Sequence, residues 1–231
     1  MTLRPIRAVV FDLDGTLCDY AVTVREALAE ALVRTGQPAS RLGDLGAAAA
    51  RYNALWEEIS LNGHRAASLR EAIMIRLLNE RGIDDPELAR DVTAHYTQVR
   101  WPSLRLLPGV AELLDDLHAR YTLGLLTNGP TDMQRPKLAH LEIEPFFEAI
   151  VVSGEVGLHK PDPAAFELVL ERMDRTAVEA LYVGNSLSTD IVGAKTAGLQ
   201  AAWVNSDGRA ADGVVPDLTV KRIADLREVL L

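Results

Sequence analysis

Residues 8–12 read AVVFD, a short unbroken apolar run that ends in a carboxylate. A run of this kind suits a strand covered on both faces. No convincing second strand follows before about Leu104. Beyond Pro108 the pattern changes to alternation: a helical "VAELLDDLHAR" precedes the strand-like "YTLGLLTN", and "AIVVS", "ALYVGN" and "QAAWV" follow with helical stretches between them. Strands alternating with helices build a parallel sheet covered on both sides. The first run can be covered in the same way only if it joins that sheet. The chain is therefore expected to be α/β, with a doubly wound, Rossmann-like parallel sheet. A helical domain is inserted after the first strand. The expected division is 1–17 and 105–231 for the core, and 18–104 for the insertion.

The insertion reads as helices throughout. "VREALAEALVRTG" carries apolar residues at helical spacing and stops at Gly36. "SLREAIMIRLLNERG" has Ser68 and Glu71 at capping-box spacing and closes at Gly82. Asp85 and Pro86 suit the N-cap and first turn of the next helix, as Asp162 and Pro163 do in the core.

In a parallel α/β sheet, ligands bind beyond the carboxyl ends of the strands. The first strand end delivers Asp12, Asp14, Gly15 and Thr16. The next delivers Thr127, Asn128 and Gly129, in "LLTNGP". Lys160 follows the third, in "GLHKPDP", and Asn185 and Asp190 follow the fourth, in "VGNSLSTD". Asp12 and Asp14 are two positions apart and leave an extended chain on the same side, so one can attack while the other moves a proton. Gly15 allows a sharp turn, with backbone N–H groups expected to be open to an anion. Thr127 offers a hydroxyl to phosphate oxygens, and Lys160 a compact cation. Asp12 and Asp190 can hold Mg²⁺, which takes oxygen ligands. Three carboxylates against Lys160 leave two negative charges, and a divalent ion is expected to cancel them. At an effective dielectric near 20, each contact of this kind is worth about 4 kcal/mol before desolvation.

The formal net charge is −9, which argues against a phosphate-backbone partner such as a nucleic acid polymer. No stretch approaches a membrane span. The chain opens with nothing resembling a signal peptide. Cys18 is the one cysteine, so no intrachain disulfide can form. The expected setting is soluble, reducing and cytoplasmic. The histidines at 64, 95, 118, 140 and 159 show no metal-ligand spacing.

The motifs "FDLDGT", "TNG", "KPDP" and "GN…D", in this order, resemble the haloacid dehalogenase superfamily of phosphohydrolases. The resemblance spans the chain and identifies the insertion as a helical cap. It implies that Asp12 is the nucleophile and forms an aspartyl-phosphate. It implies that Asp14 protonates the leaving alcohol and later activates water, and that its backbone carbonyl binds Mg²⁺. Thr127 and Lys160 would hold the phosphate, with Gly15, Thr16, Asn128 and Gly129 around it. True dehalogenases of the superfamily lack the second carboxylate of the first motif. Asp14 is present here, so phosphate chemistry is expected. The stretches "TNGPTDMQRPKL" and "VVSGEVGLHKPDPAAFELVL" look most like the small-molecule phosphatase and nucleotidase branch. One departure stands out: Asn185 occupies a position where the family usually has a metal-binding Asp. An amide oxygen can coordinate Mg²⁺ but adds no charge.

In similar capped phosphatases, the loop holding Asn62, His64 and Arg65 faces the active site and the cap chooses the leaving group. These three residues are candidate specificity residues. The expected partner is a small-molecule phosphate ester, acted on by a monomer or homodimer. A phosphomutase, or a weakly active phosphate-binding protein lacking the usual metal-site Asp, is the alternative. A signalling receiver domain uses a similar residue set, but it is about half this length and accepts phosphate after a later strand.

Overall fold

The structure, a computed structural model, describes residues 3–60, 66–211 and 213–231. The chain divides into two compact units. One runs up to Asp19 and resumes at Leu106; the other is Tyr20–Arg105.

Among the described residues, the first unit is built on a six-stranded sheet. Its strands are β1 (Ala8–Phe11), β4 (Thr122–Thr127), β5 (Ala149–Val152), β6 (Ala180–Gly184), β7 (Gln200–Val204) and β8 (Leu218–Val220), in the order β5-β4-β1-β6-β7-β8. Every neighbouring pair is parallel. The apolar run at the N-terminus is thus the central strand, with Phe11 in register with Leu125 of β4 and Val183 of β6. All four of its residues are fully buried. Strand order reverses across β1, and the carboxyl end of β1 is therefore the crevice where this topology receives ligands. The short strands β2 (Cys18–Tyr20) and β3 (Leu104–Leu106) pair with each other where the chain passes between units.

Helices α5 (Val110–His118), α6 (Thr131–His140), α7 (Ser153–Val156), α8 (Pro163–Arg172), α9 (Val192–Thr196) and α10 (Arg227–Leu230) connect and follow these strands. Asp162 caps α8 by accepting from the Ala164 N–H, with Pro163 in the first turn. Phe166 and Val169 of α8 pack on Val10, Leu126 and Tyr182 of the sheet.

The second unit holds α1 (Val24–Arg34), α2 (Leu45–Ser60), α3 (Ala66–Asn79) and α4 (Pro86–Arg100). Thr23 and Glu26 form a capping box at the start of α1, and Asp85 caps α4 with Pro86 behind it. Gly36 and Gly82 end their helices in the left-handed region that glycine adopts at least cost. Ser68 is not a cap, because α3 starts at Ala66 and already encloses it. Leu28, Leu32, Tyr52, Ile73, Leu77 and Tyr96 form this unit's core.

Candidate active site

Asp12 follows β1 directly, its N–H donating to the Val183 carbonyl at 2.9 Å. Extending the ladder by this one bond fixes where the carboxylate emerges. Lys160 Nζ donates to Asp12 Oδ1 at 2.6 Å and to Asp190 Oδ1 at 2.7 Å. All three side chains are buried. A buried ammonium costs several kcal/mol unless carboxylates meet it, and the converse also holds. Burial alone would push the Lys160 ammonium down; Asp12 and Asp190 outweigh it and hold its pKa well above the ordinary lysine value. Burial also drives Asp12 up to about 6, the negative charges of Asp190 and Asp14 adding to it and outweighing Lys160.

Several groups aim Lys160. Its backbone N–H donates to Asn128 Oδ1 at 2.9 Å, and Asn128 Nδ2 donates to its carbonyl at 3.0 Å. The Asn128 amide, expected to face a ligand, is spent on gripping this backbone. The Tyr182 hydroxyl accepts from Lys160 Nζ at 2.9 Å and donates to the Leu126 carbonyl at 3.1 Å. Asp190 is fixed in turn, its Oδ2 accepting from the Ser186 N–H at 2.9 Å.

Thr16 donates to Asp12 Oδ2 at 3.0 Å, and its hydroxyl lies 3.3 Å from Asn185 Oδ1. Gly15 has φ +77°, and a Cβ there would overlap the Asn185 side chain. The glycine is required for the turn and for this approach. The expectation of open N–H groups in this turn is corrected at Gly15 and Thr16: Gly15 N–H donates to Cys18 O and Thr16 N–H to Leu13 O. A five-residue turn closes by consuming them. Gly129 N–H is likewise committed, to Ser153 Oγ at 2.8 Å. Thr127, at the end of β4, accepts from Gln134 Nε2 at 2.6 Å. Its own hydrogen has only a long contact to Asn128 O, at 3.4 Å, and is available to a ligand oxygen.

Asp14 meets two residues to which the sequence reading gave no role. Lys137 Nζ stands 2.6 Å and 2.8 Å from its two oxygens, and Gln134 Nε2 donates at 2.9 Å. Burial pushes the Asp14 carboxyl up, but Lys137 and the Gln134 hydrogen bond outweigh it and hold it below the usual carboxylate value. The charge count from sequence is thereby corrected. With Lys137 included, three carboxylates face two lysines, leaving one negative charge rather than two. Gln134 and Lys137 lie three apart on α6 and so on one face of it, with Met133 and Leu138 buried beside them.

Asn62, His64 and Arg65 lie outside the described residues. The site's remaining ligand atoms are oxygens, the donor type that hard divalent cations take. Asp12 Oδ2 and Asn185 Oδ1 flank the same Thr16 hydroxyl. Among the described residues no three His, Cys, Asp or Glu side chains converge as a ready metal cluster. The set fits Mg²⁺ if amide and backbone oxygens complete it, since this ion keeps several waters.

The sequence profile of haloacid dehalogenase-like hydrolases matches residues 6–198. The chain belongs to that family, in its phosphatase branch. It is 33% identical to a glyceraldehyde 3-phosphate phosphatase of Methanothermobacter thermautotrophicus over 87% of each chain. It is 36% identical to a phosphoserine phosphatase of Thermus thermophilus over 77% of this chain and 72% of that one. The magnesium-bound crystal structure of the putative hydrolase YfnB from Bacillus subtilis superimposes with a TM-score of 0.80 at 26% identity. That match covers 98% of this chain and 99% of YfnB. Among the described residues, no helix is long and apolar enough to cross a membrane.

Proposed function

We propose that the protein is a Mg²⁺-dependent phosphohydrolase that cleaves a small-molecule phosphate monoester through an aspartyl-phosphate on Asp12. One observation carries this reading: Lys160 bridges Asp12 and Asp190 in a buried cluster at the carboxyl end of the central strand. A carboxylate attacks a phosphate dianion only where its charge and the phosphate's are both opposed by cations. Lys160 opposes both, and the Thr127 hydroxyl takes a phosphate oxygen. Asp12 then bonds to phosphorus as the ester oxygen departs, and Asp14, which the charge of the phosphate dianion beside it favours in its protonated form, gives that oxygen its proton. Asp14 later takes a proton from the water that releases phosphate. Asp12, Asn185 and the Asp14 carbonyl would hold Mg²⁺, with Asp190 adding charge. When bound, the ion supplies positive charge against the phosphate oxygens. The presence of Mg²⁺ in the YfnB crystal supports this choice of ion.

The relatives named above act on different phosphate esters, so the class of substrate is proposed only as a small phosphate monoester. Purified protein incubated with Mg²⁺ and a panel of such esters tests the reading. Free phosphate should be released, and Asp12→Asn should abolish the release. Isomerised sugar phosphate without release would instead assign a phosphomutase. No turnover of any ester at high Mg²⁺ would assign a silent phosphate-binding protein, the alternative raised by Asn185 standing where the family usually has Asp.

A further inference from the structure

Lys137 and Gln134 have no role in the proposed mechanism, yet both are buried, Lys137 at 2% exposure and Gln134 at 0%. Setting an ammonium on the buried face of a helix is costly without a partner. The partner is Asp14, whose side chain remains 41% exposed. This ion pair shares no residue with the Asp12–Lys160–Asp190 cluster, though the charges of the two groups act on each other. Gln134 adds a second constraint. Its Nε2 faces three acceptors, Asp14 Oδ2 at 2.9 Å, Thr127 Oγ1 at 2.6 Å and Asn128 O at 3.2 Å, which fixes the amide's orientation. Among the described residues its Oε1 has no partner.

We propose that Lys137 and Gln134 are the positioning residues of the proton-transferring carboxylate, turning Asp14 so that one site on Oδ1 faces the reacting ester. The proposal rests on the role given to Asp14 above. A carboxylate offers about four lone-pair sites. Oδ2 accepts from both Lys137 and Gln134, while Oδ1 accepts from Lys137 alone. Oδ1 therefore retains an uncommitted site, and the two-oxygen grip stops rotation of the carboxylate plane. In the first step the bond from Asp12 to phosphorus forms while the ester P–O bond breaks. The electron pair of that bond stays on the leaving oxygen, which takes from Asp14 Oδ1 the proton that this carboxylate gained from water in the preceding turnover. In the second step the same oxygen takes a proton from water attacking phosphorus. Displacement of a catalytic group by about 1 Å costs on the order of a hundredfold in rate, so the grip has kinetic consequences.

A purely structural role for Lys137, tying α6 to the first turn, predicts losses independent of the ester. Positioning predicts losses that depend on the leaving group. The test compares kcat/KM of the unaltered protein, Lys137→Met and Gln134→Leu with Mg²⁺, on phenyl phosphate and 2,4-dinitrophenyl phosphate. This ratio covers the steps up to leaving-group departure. Phenolate needs a proton to leave; dinitrophenolate does not. Lys137→Met should lose about 10–100-fold on phenyl phosphate and less than about threefold on the dinitrophenyl ester. An equal loss on both esters, or none on either, overturns the proposal. If the unaltered protein turns over neither of these esters nor any ester of the panel above, the phosphatase reading itself fails and this inference with it. Thermal unfolding checks that the variants fold. Should Lys137→Met not fold, Gln134→Leu decides alone, because it keeps the lysine and removes only one bond from Asp14. It also releases Thr127, but a loss there concerns phosphate holding and is the same for both esters.

Discussion

The Lys160 ammonium stands 2.6 Å from Oδ1 of Asp12, with both side chains buried. The same nitrogen reaches Asp190 at 2.7 Å. One cation thus opposes carboxylates delivered by two neighbouring strands, and removing it leaves both charges buried with their main partner gone. Breaking a buried pair from one side costs about 3–5 kcal/mol. Lys160→Met should lower the unfolding free energy by that order, read from the urea midpoint near neutral pH, and should abolish ester turnover. A midpoint equal to that of the unaltered protein overturns the expectation.

Asp12 shows the cost of this arrangement in its titration. Its pKa is pushed up to about 6, burial and the neighbouring carboxylates outweighing Lys160. In the unfolded chain an aspartate titrates near about 3.9. The folded state therefore binds this proton more tightly than the unfolded state. The contribution to stability is complete below the unfolded value and is lost as pH rises through the folded one. Asp14 has the opposite sign: its pKa is lowered, so its contribution is lost as pH falls. Asp12→Asn removes the first effect and leaves the second. In a chelator, the variant should gain stability relative to the unaltered protein between about pH 4.5 and about pH 7.5. Urea unfolding of both proteins at the two pH values measures this. A stability difference that does not change with pH would contradict it.

The residues with a fixed place in a motif were legible in the sequence: Asp12, Thr127, Lys160 and Asp190 converge on one crevice because each follows a strand of one sheet. Gln134 and Lys137 were hidden because a polar residue on a helix reads as solvent-facing unless its burial is known. Tyr182 was hidden for another reason. It sits inside an apolar strand, where an aromatic ring is ordinary filling, and only its hydroxyl, turned to Lys160, distinguishes it. The N–H groups of Gly15 and Thr16 were misread because the tightness of the turn, which spends them internally, is not visible in "DGT". Strand β8 spans only Leu218–Val220, too short to show alternation.

Gly184 ends β6 beneath Asp190. A Cβ at this position would overlap the Asp190 carboxylate, and the glycine is not in the left-handed region, so the effect of adding a methyl group is purely one of space. Overpacking of this kind costs about 1–3 kcal/mol. Gly184→Ala should therefore displace Asp190 from Lys160, lower stability by that order and reduce kcat more than it alters the secondary structure seen by circular dichroism. Full activity in the variant would show that Asp190 tolerates the shift.

Asn185 offers the most direct handle on the metal. Its Oδ1 lies 3.3 Å from the Thr16 hydroxyl, which itself donates to Asp12 Oδ2. If both oxygens hold the ion, Asn185→Asp adds a full charge to the set. A unit charge at contact distance is worth about 4 kcal/mol at an effective dielectric near 20, before desolvation and repulsion from Asp12 are subtracted. A net gain of about tenfold in Mg²⁺ affinity is the expected remainder. The variant should also melt lower than the unaltered protein in chelator, because the added carboxylate faces Asp12 unopposed, and the order should reverse at saturating Mg²⁺ by mass action. Calorimetric titration with MgCl₂ and melting curves at two Mg²⁺ concentrations measure both effects. An unchanged dissociation constant removes Asn185 from the ion's ligands and leaves the amide as a spacer against Gly15.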